Sequence, residues 1–181
     1  MSSIAELTPG TWNVDAKHSS VGFVARHLMV TKVRGRFASF NGAVTVSEDP
    51  LKSKVEATVD MASVTTGDAG RDGHLQNADF FEAEKYPTMK FVSTDIVANG
   101  SDYVLKGDLT IKAVTKPVAF ELEFDGVAVD PWNNTKAGFS AETEINRKDF
   151  GLDFNVALEA GGVLVGEKVK VQLDVQLVKA A

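Results

Sequence analysis

The sequence predicts an all-β fold, an eight-stranded antiparallel barrel with one or two short helices in an insert. Three observations carry that expectation. Apolar and polar residues alternate with period two along much of the chain of 181 residues, which puts one face of each strand in a core and the other in water. Alternation this clean belongs to antiparallel sheets, because strands covered by helices on both faces read as continuous apolar runs. Glycines recur inside the alternating stretches, at Gly22, Gly35, Gly42, Gly107, Gly126 and Gly138, where the bends and bulges of barrel corners use them. Roughly eight such strands close one barrel.

In chain order, Thr11 to Asp15 is a short opening strand, and Val21, Phe23 and Ala25 mark the inward face of a second. A long stretch from Val33 to Val46 follows, interrupted by Gly35 and Gly42. Val55, Ala57, Val59 and Met61 then alternate with Lys54, Glu56, Thr58 and Asp60. From Gly67 to Pro87 the period changes. Asp79-Phe80-Phe81-Glu82 resembles a helix capping box, and Leu75, Ala78 and Glu82 fit helical spacing, so one or two short helices are expected there. Thr88 to Val97 resumes a strand, and Asn99-Gly100 is a hairpin signal. Leu105, Leu109 and Ile111 form the next inward face, Ala113 to Pro117 a connection, and Val118, Phe120, Leu122 and Phe124 the strand after it. Pro131 to Asn134 makes a turn before Ala137, Phe139, Ala141 and Ile145. Residues 147–166 lose alternation, with Gly161, Gly162 and Gly166 marking a loop. Val169 to Leu177 is the last strand. Neighbouring strands pair as a meander, with residues 1–10 as an N-terminal segment and 11–181 as a single domain.

Composition removes several function classes. There is no cysteine, hence no disulfide framework, thiolate metal site or thiol nucleophile. The net charge of −6, without a clustered basic stripe, argues against a nucleic-acid or anionic-membrane partner. No window approaches the ~20 apolar residues of a membrane-spanning helix. Met1 to Gly10 lacks the basic and apolar regions of a secretion signal, so a cytoplasmic location is the expectation.

Motifs for catalysis are equally scarce. Gly161 and Gly166 are spaced as in a phosphate-binding loop, but Glu167 stands where the lysine is required. The three histidines, His18, His27 and His74, would have to converge from distant segments to hold a metal. The carboxylate pairs Asp149/Asp153 and Glu82/Glu84 read as solvated surface, and Arg71-Asp72 and Arg147-Lys148-Asp149 as loop-fastening ion pairs or turn caps. No metal, cofactor or catalytic residue is expected. The small residues Ala25, Gly35, Ala57, Gly107 and Ala141 on inward faces leave room in the lumen, but composition alone leaves a dry packed core and a ligand-holding tunnel equally open.

A set of local patterns decides between them. Trp12-x-Val14-Asp15-x-x-His18-Ser19-x-Val21-x-Phe23 with His27, then Val33-x-Gly35-x-Phe37 and Gly42, open the series. Arg71-Asp72-x-His74-Leu75, Asp79-Phe80-Phe81 and Tyr86-Pro87-x-Met89-x-Phe91 follow. Gly107-x-Leu109-Thr110-Ile111, Thr115-Lys116-Pro117-Val118 and Ile145-Asn146-Arg147-x-x-Phe150-Gly151 complete it. Together they resemble the YceI-like family of lipocalin-like proteins, from Trp12 to Val178. The resemblance implies an extended lipocalin-like barrel whose lumen holds an isoprenoid lipid, a polyprenyl lipid or isoprenoid quinone, for binding, storage or transport, with a link to stress. The ligand would lie against Val21, Phe23, Phe37, Val59, Phe91, Leu105, Leu109, Phe120, Leu122, Phe139 and Leu173. His18, Asp79 and Arg147 are the candidates for its head group. Exchange of such a ligand implies transient membrane contact. Two other classes stay open, an enzyme acting on a lipid or quinone head group at the barrel mouth, and a ligand-free structural protein, for instance a homodimer joined through a strand edge.

Overall fold

A computed structural model describes residues 3–159 and 162–181. Eleven strands run in chain order: β1 (Gly10–Val14), β2 (Ser20–His27), β3 (Thr31–Phe37), β4 (Phe40–Val46), β5 (Lys54–Asp60), β6 (Val64–Thr65), β7 (Thr88–Asn99), β8 (Asp102–Ile111), β9 (Val114–Val129), β10 (Thr135–Asn146) and β11 (Val165–Lys179). One helix, α1 (Ala69–Gln76), lies between β6 and β7. The pairings β2–β3 and β1–β4, then β3–β6 and β4–β5, show that β1 with β2, β3 with β4, and β5 with β6 are three long strands, each broken once. Joined so, the chain makes eight antiparallel staves in a meander, and β1 closes the ring against β11.

Side chains explain where strands break or end. Asp15 accepts from the Lys17 amide and turns the chain through a 3-10 segment before β2. Asp60 does the same for Ala62 after β5, Asp49 for Leu51 before β5, and Asn146 for Lys148 after β10. Each is a short polar side chain competing with the strand ladder for a backbone donor. The long stretch from Val33 to Val46 breaks at Ala38 and Ser39, not at Gly35 or Gly42, which both lie inside strands.

Two connections differ from expectation. The turn after β8 is only Lys112-Ala113, both at positive φ (51° and 67°), the backbone of a two-residue hairpin without the Asn-Gly chemistry that usually advertises it. β9 therefore starts at Val114 and contains Pro117. The proline is accommodated because β9 pairs with β10 only from Glu121 onward, leaving Pro117 with a partner strand on one side alone. The insert holds a single helix, capped by Asp68, whose side chain accepts from the Arg71 amide. No helix starts at Asp79. Glu82 sits at φ 47°, a left-handed value incompatible with its place in a helical turn, and residues 77–86 form a series of turns. Arg71 and Asp72 fasten this loop, but through Thr66: Arg71 Nε donates to Thr66 Oγ1 at 2.7 Å, and the Asp72 carboxylate accepts from the Thr66 amide at 2.8 Å. Within the loop 147–166, the expected glycine Gly161 lies outside the described residues.

The two ends of the barrel are built differently. At one, residues 3–9 fold across the opening and pack Ile4 and Leu7 against Trp12, Val46, Phe124, Ala137 and Leu177. Trp12 is fully buried, and its indole donates to the Thr8 carbonyl at 2.9 Å. At the other end sit α1, the β2–β3 hairpin and residues 147–159 and 162–164, with Phe37, Val59, Met61, Val64 and Ala83 buried beneath.

Candidate functional site

The apolar inner faces do not meet. They enclose a cavity of about 300 Å³ running inside the barrel, with a wall almost free of polar atoms. Every one of the eleven residues expected on the lumen lies on this wall. Val21, Phe23, Phe37 and Val59 stand toward the helix end, with Leu109 close by. Phe91, Leu105, Phe120, Leu122 and Leu173 line the middle, and Phe139 lies toward the Trp12 end.

Aromatic rings shape the cavity. Phe91 meets Phe120 edge-on with centroids 5.6 Å apart, and Phe23 meets Phe37 at 5.6 Å. The inward glycines act differently from expectation. A Cβ on Gly35 would collide with the ring of Phe23, and one on Gly107 with the ring of Phe91. Neither glycine leaves open space. Each lets a neighbouring ring lie flat on the barrel wall, which keeps that ring out of the lumen.

Several wall residues that the alternation did not reveal come from outside the strands. Ile4 and Leu7 reach in from the N-terminal segment, Leu75 from α1, Phe80 and Phe81 from the turns after it, and Leu152 from the last loop. Such residues carry no period-two signal, so only the closed fold discloses them.

The three head-group candidates are not brought together. Arg147 alone lies on the cavity wall. It is the only buried charged side chain among the described residues, 3% exposed, and it forms none of the ion pairs expected of it. Its Nε donates to the Gly166 carbonyl at 2.8 Å, Nη1 to Leu152 and Nη2 to Val165 at 3.2 Å. Burial pulls the guanidinium below its usual arginine value, with the charges of Glu167 and Asp153 opposing; it stays cationic. Three of its five N–H groups are thus committed to carbonyls.

His18 lies in the turn between β1 and β2, its side chain 63% exposed, with Nδ1 donating to Asp15 Oδ2 at 2.9 Å. It borders a shallow outer cleft shared with Asp125 and Lys136. Asp79 pairs with His74 Nε2 at 2.9 Å, and the His74 ring packs on Phe80 and Phe154 with centroids 5.0 and 4.9 Å away. His27 ends β2. The three histidines therefore occupy three separate elements, and among the described residues no three His, Asp or Glu side chains form a group able to hold a metal.

Charge on the outer surface is less even than the sequence suggests. Arg26, Lys32, Arg34 and Arg36 are all exposed on the outer face of the β2–β3 hairpin. The expected absence of a basic stripe is corrected here: spacing by two, invisible as a run, collects these cations on one face of a strand pair. Among the described residues, no helix is long and apolar enough to cross a membrane.

Comparison with known proteins agrees with this architecture. The YceI-like domain model matches residues 12–177. Protein YceI of Escherichia coli is 41% identical over 139 residues, covering 76% of this chain and 73% of that protein. The crystal structure of Burkholderia cenocepacia BcnA superposes with a TM-score of 0.74 at 24% identity, covering 90% of this chain and 98% of the other. A domain from Saccharophagus degradans, described as polyisoprenoid binding and implicated in plant cell wall breakdown, superposes with a TM-score of 0.72 at 16% identity, covering 93% and 98%.

Proposed function

Because the chain belongs to the YceI-like family, we propose that it is a non-catalytic carrier that holds the apolar chain of an isoprenoid lipid, a polyprenyl lipid or isoprenoid quinone, inside the barrel. The observation that carries this reading is the apolar cavity of about 300 Å³, since a core that stability alone had shaped would be filled to crystal-like density. The description of the Saccharophagus degradans domain as polyisoprenoid binding supports the same class of cargo.

The driving force is desolvation. Each 100 Å² of tail surface removed from water contributes about 2.5 kcal/mol. A bilayer interior is as apolar as the cavity, so a tail passes between them with little net gain, and exchange stays reversible. The wall residues named above, Phe23, Phe91 and Phe120 among them, act as the tail's contacts. Arg147 offers its uncommitted N–H groups to a carbonyl or phosphate oxygen of the head group. His18 and Asp79, away from the cavity wall, are left out of this role. Wall residues at the helix end, including Ala25, Leu75, Phe81 and Val165, are only half-buried, whereas Ile4, Leu7 and Trp12 seal the other. The tail accordingly enters from the helix end.

The test is an organic extract of the protein purified from its own host without detergent, analysed by mass spectrometry beside a mock purification. A stoichiometric polyprenyl species is the expected result. A clean extract overturns the reading.

A further inference from the structure

We propose that the β2–β3 hairpin is a docking device for an anionic phospholipid surface, with Leu28, Met29 and Val30 entering the headgroup layer and Arg26, Lys32, Arg34 and Arg36 lying over the phosphates. Three consecutive apolar side chains form the hairpin tip and are exposed to water, at 40%, 54% and 72%. Val156, 47% exposed, lies one segment further on: the Leu28 amide donates to the Leu164 carbonyl at 2.9 Å, and the Leu164 amide to the Val156 carbonyl at 3.0 Å. A contiguous exposed apolar patch of this kind marks an interaction site.

The backbone adds an independent indication. Leu28 and Met29 hold φ of 54° and 62°, the left-handed region that a turn of this shape fills at no strain with Asn-Gly. Bulky residues there are strained. The strained turn is held by the flanking strand pair, and it presents apolar side chains whose wetting is unfavourable for the free protein and is relieved when the tip meets an apolar layer.

Charge complementarity selects the partner. The chain carries a net −6, yet this face is basic. Neighbouring cations are neutralised, Lys168 by Glu144, Lys170 by Glu142 and Lys148 by Glu167. Among the described residues, none of Arg26, Lys32, Arg34 and Arg36 has a carboxylate within ion-pairing distance. A row of cations on the outer face of a hairpin with an aliphatic tip fits a bilayer's phosphate plane and acyl boundary when the hairpin lies along the surface. A nucleic acid would instead call for aromatic stacking platforms, which the tip lacks. The assignment holds whatever the cavity carries.

The chain has no cysteine, so Met29→Cys accepts a single environment-sensitive fluorophore, and Trp132→Cys, at the exposed turn of the opposite end, serves as control. Both are mixed with phosphatidylcholine vesicles with and without phosphatidylglycerol. The label at position 29 should shift to the blue only with phosphatidylglycerol, and the label at position 132 should not respond. Arg34→Gln with Arg36→Gln should weaken sedimentation with the anionic vesicles about 25-fold, at about fivefold per cation. The proposal is overturned if unlabelled protein fails to sediment with anionic vesicles, if both labels shift equally, or if the double variant sediments like the parent. Tighter binding to a single-stranded oligonucleotide than to the vesicles would reassign the face and overturn it as well.

Discussion

The ring of Phe23 lies across Gly35, its register partner on the adjacent strand. The arrangement turns a glycine, ordinarily a weakness in a strand, into a bed for a ring that would otherwise stand in the lumen. Gly35→Ala therefore lifts Phe23 inward. The expected result is a loss of about 1–3 kcal/mol by the cost of overpacking, together with reduced cargo, read by chemical denaturation and by lipid extraction of the same preparation.

Ala141 tests the cavity from another side. It is a buried wall residue in the middle of β10, and Ala141→Phe inserts a ring into space the tail would occupy. Lipid content should fall several-fold while the far-ultraviolet circular dichroism stays that of a β-barrel. Unchanged loading in the folded variant would sink the carrier reading. Leu109→Phe, on the wall at β8, should behave in the same direction.

Arg147 ties three backbone carbonyls of the last loop and β11 to the end of β10. Arg147→Leu keeps the apolar wall but takes the guanidinium from the Gly166 and Leu152 carbonyls, while Val165 keeps the Asn155 side-chain amide at 2.8 Å, and each unpaired buried acceptor costs about 1–3 kcal/mol. Denaturant titration should show a loss of at least about 2 kcal/mol, and hydrogen exchange should quicken in residues 152–166. A variant as stable as the parent would mean that water replaces the guanidinium.

Asp15 sets an acid limit. Hydrogen bonds from Lys136 and His18 hold its carboxyl down to about 2, from an ordinary 3.8, against a desolvation penalty. A carboxyl depressed in the folded state stabilises fully above its unfolded value and loses that contribution as pH falls through the folded one. The side chain is 17% exposed, and the contribution is about 2 kcal/mol. Stability should drop between about pH 4 and pH 2, and Asp15→Asn should be less stable at neutral pH and flatter across that window. Melting temperatures of both proteins at each pH check this.

Much of the fold was legible because side-chain alternation fixes which face of a strand is wet. Val55, Ala57 and Val59, or Phe120 and Leu122, could be assigned inward without knowing their neighbours, and the same logic located the eleven expected wall residues. What stayed hidden depends on partners distant in sequence or on one backbone angle. Asp79 and Glu82 carry a capping pattern, yet no helix follows, because Glu82 adopts a left-handed backbone. Arg147 reads as a surface ion pair, and only closure of the loop up to Gly166 buries it. Lys32, Arg34 and Arg36 are the opposite case. The period that revealed the core also placed them on one face, but a search for runs of charge passes over residues two apart.

The ring closes where Trp12 meets Lys179, the first stave against the last. On a ribosome, β11 emerges after the other seven staves, so the inner wall stays open to its surroundings until that strand has been made. Contacts of such large sequence separation also make closure slow relative to hairpin formation. Conversely, because the first and last strands lie side by side, joining them and cutting the chain at the Asn99-Gly100 turn should give a permuted barrel of the same shape.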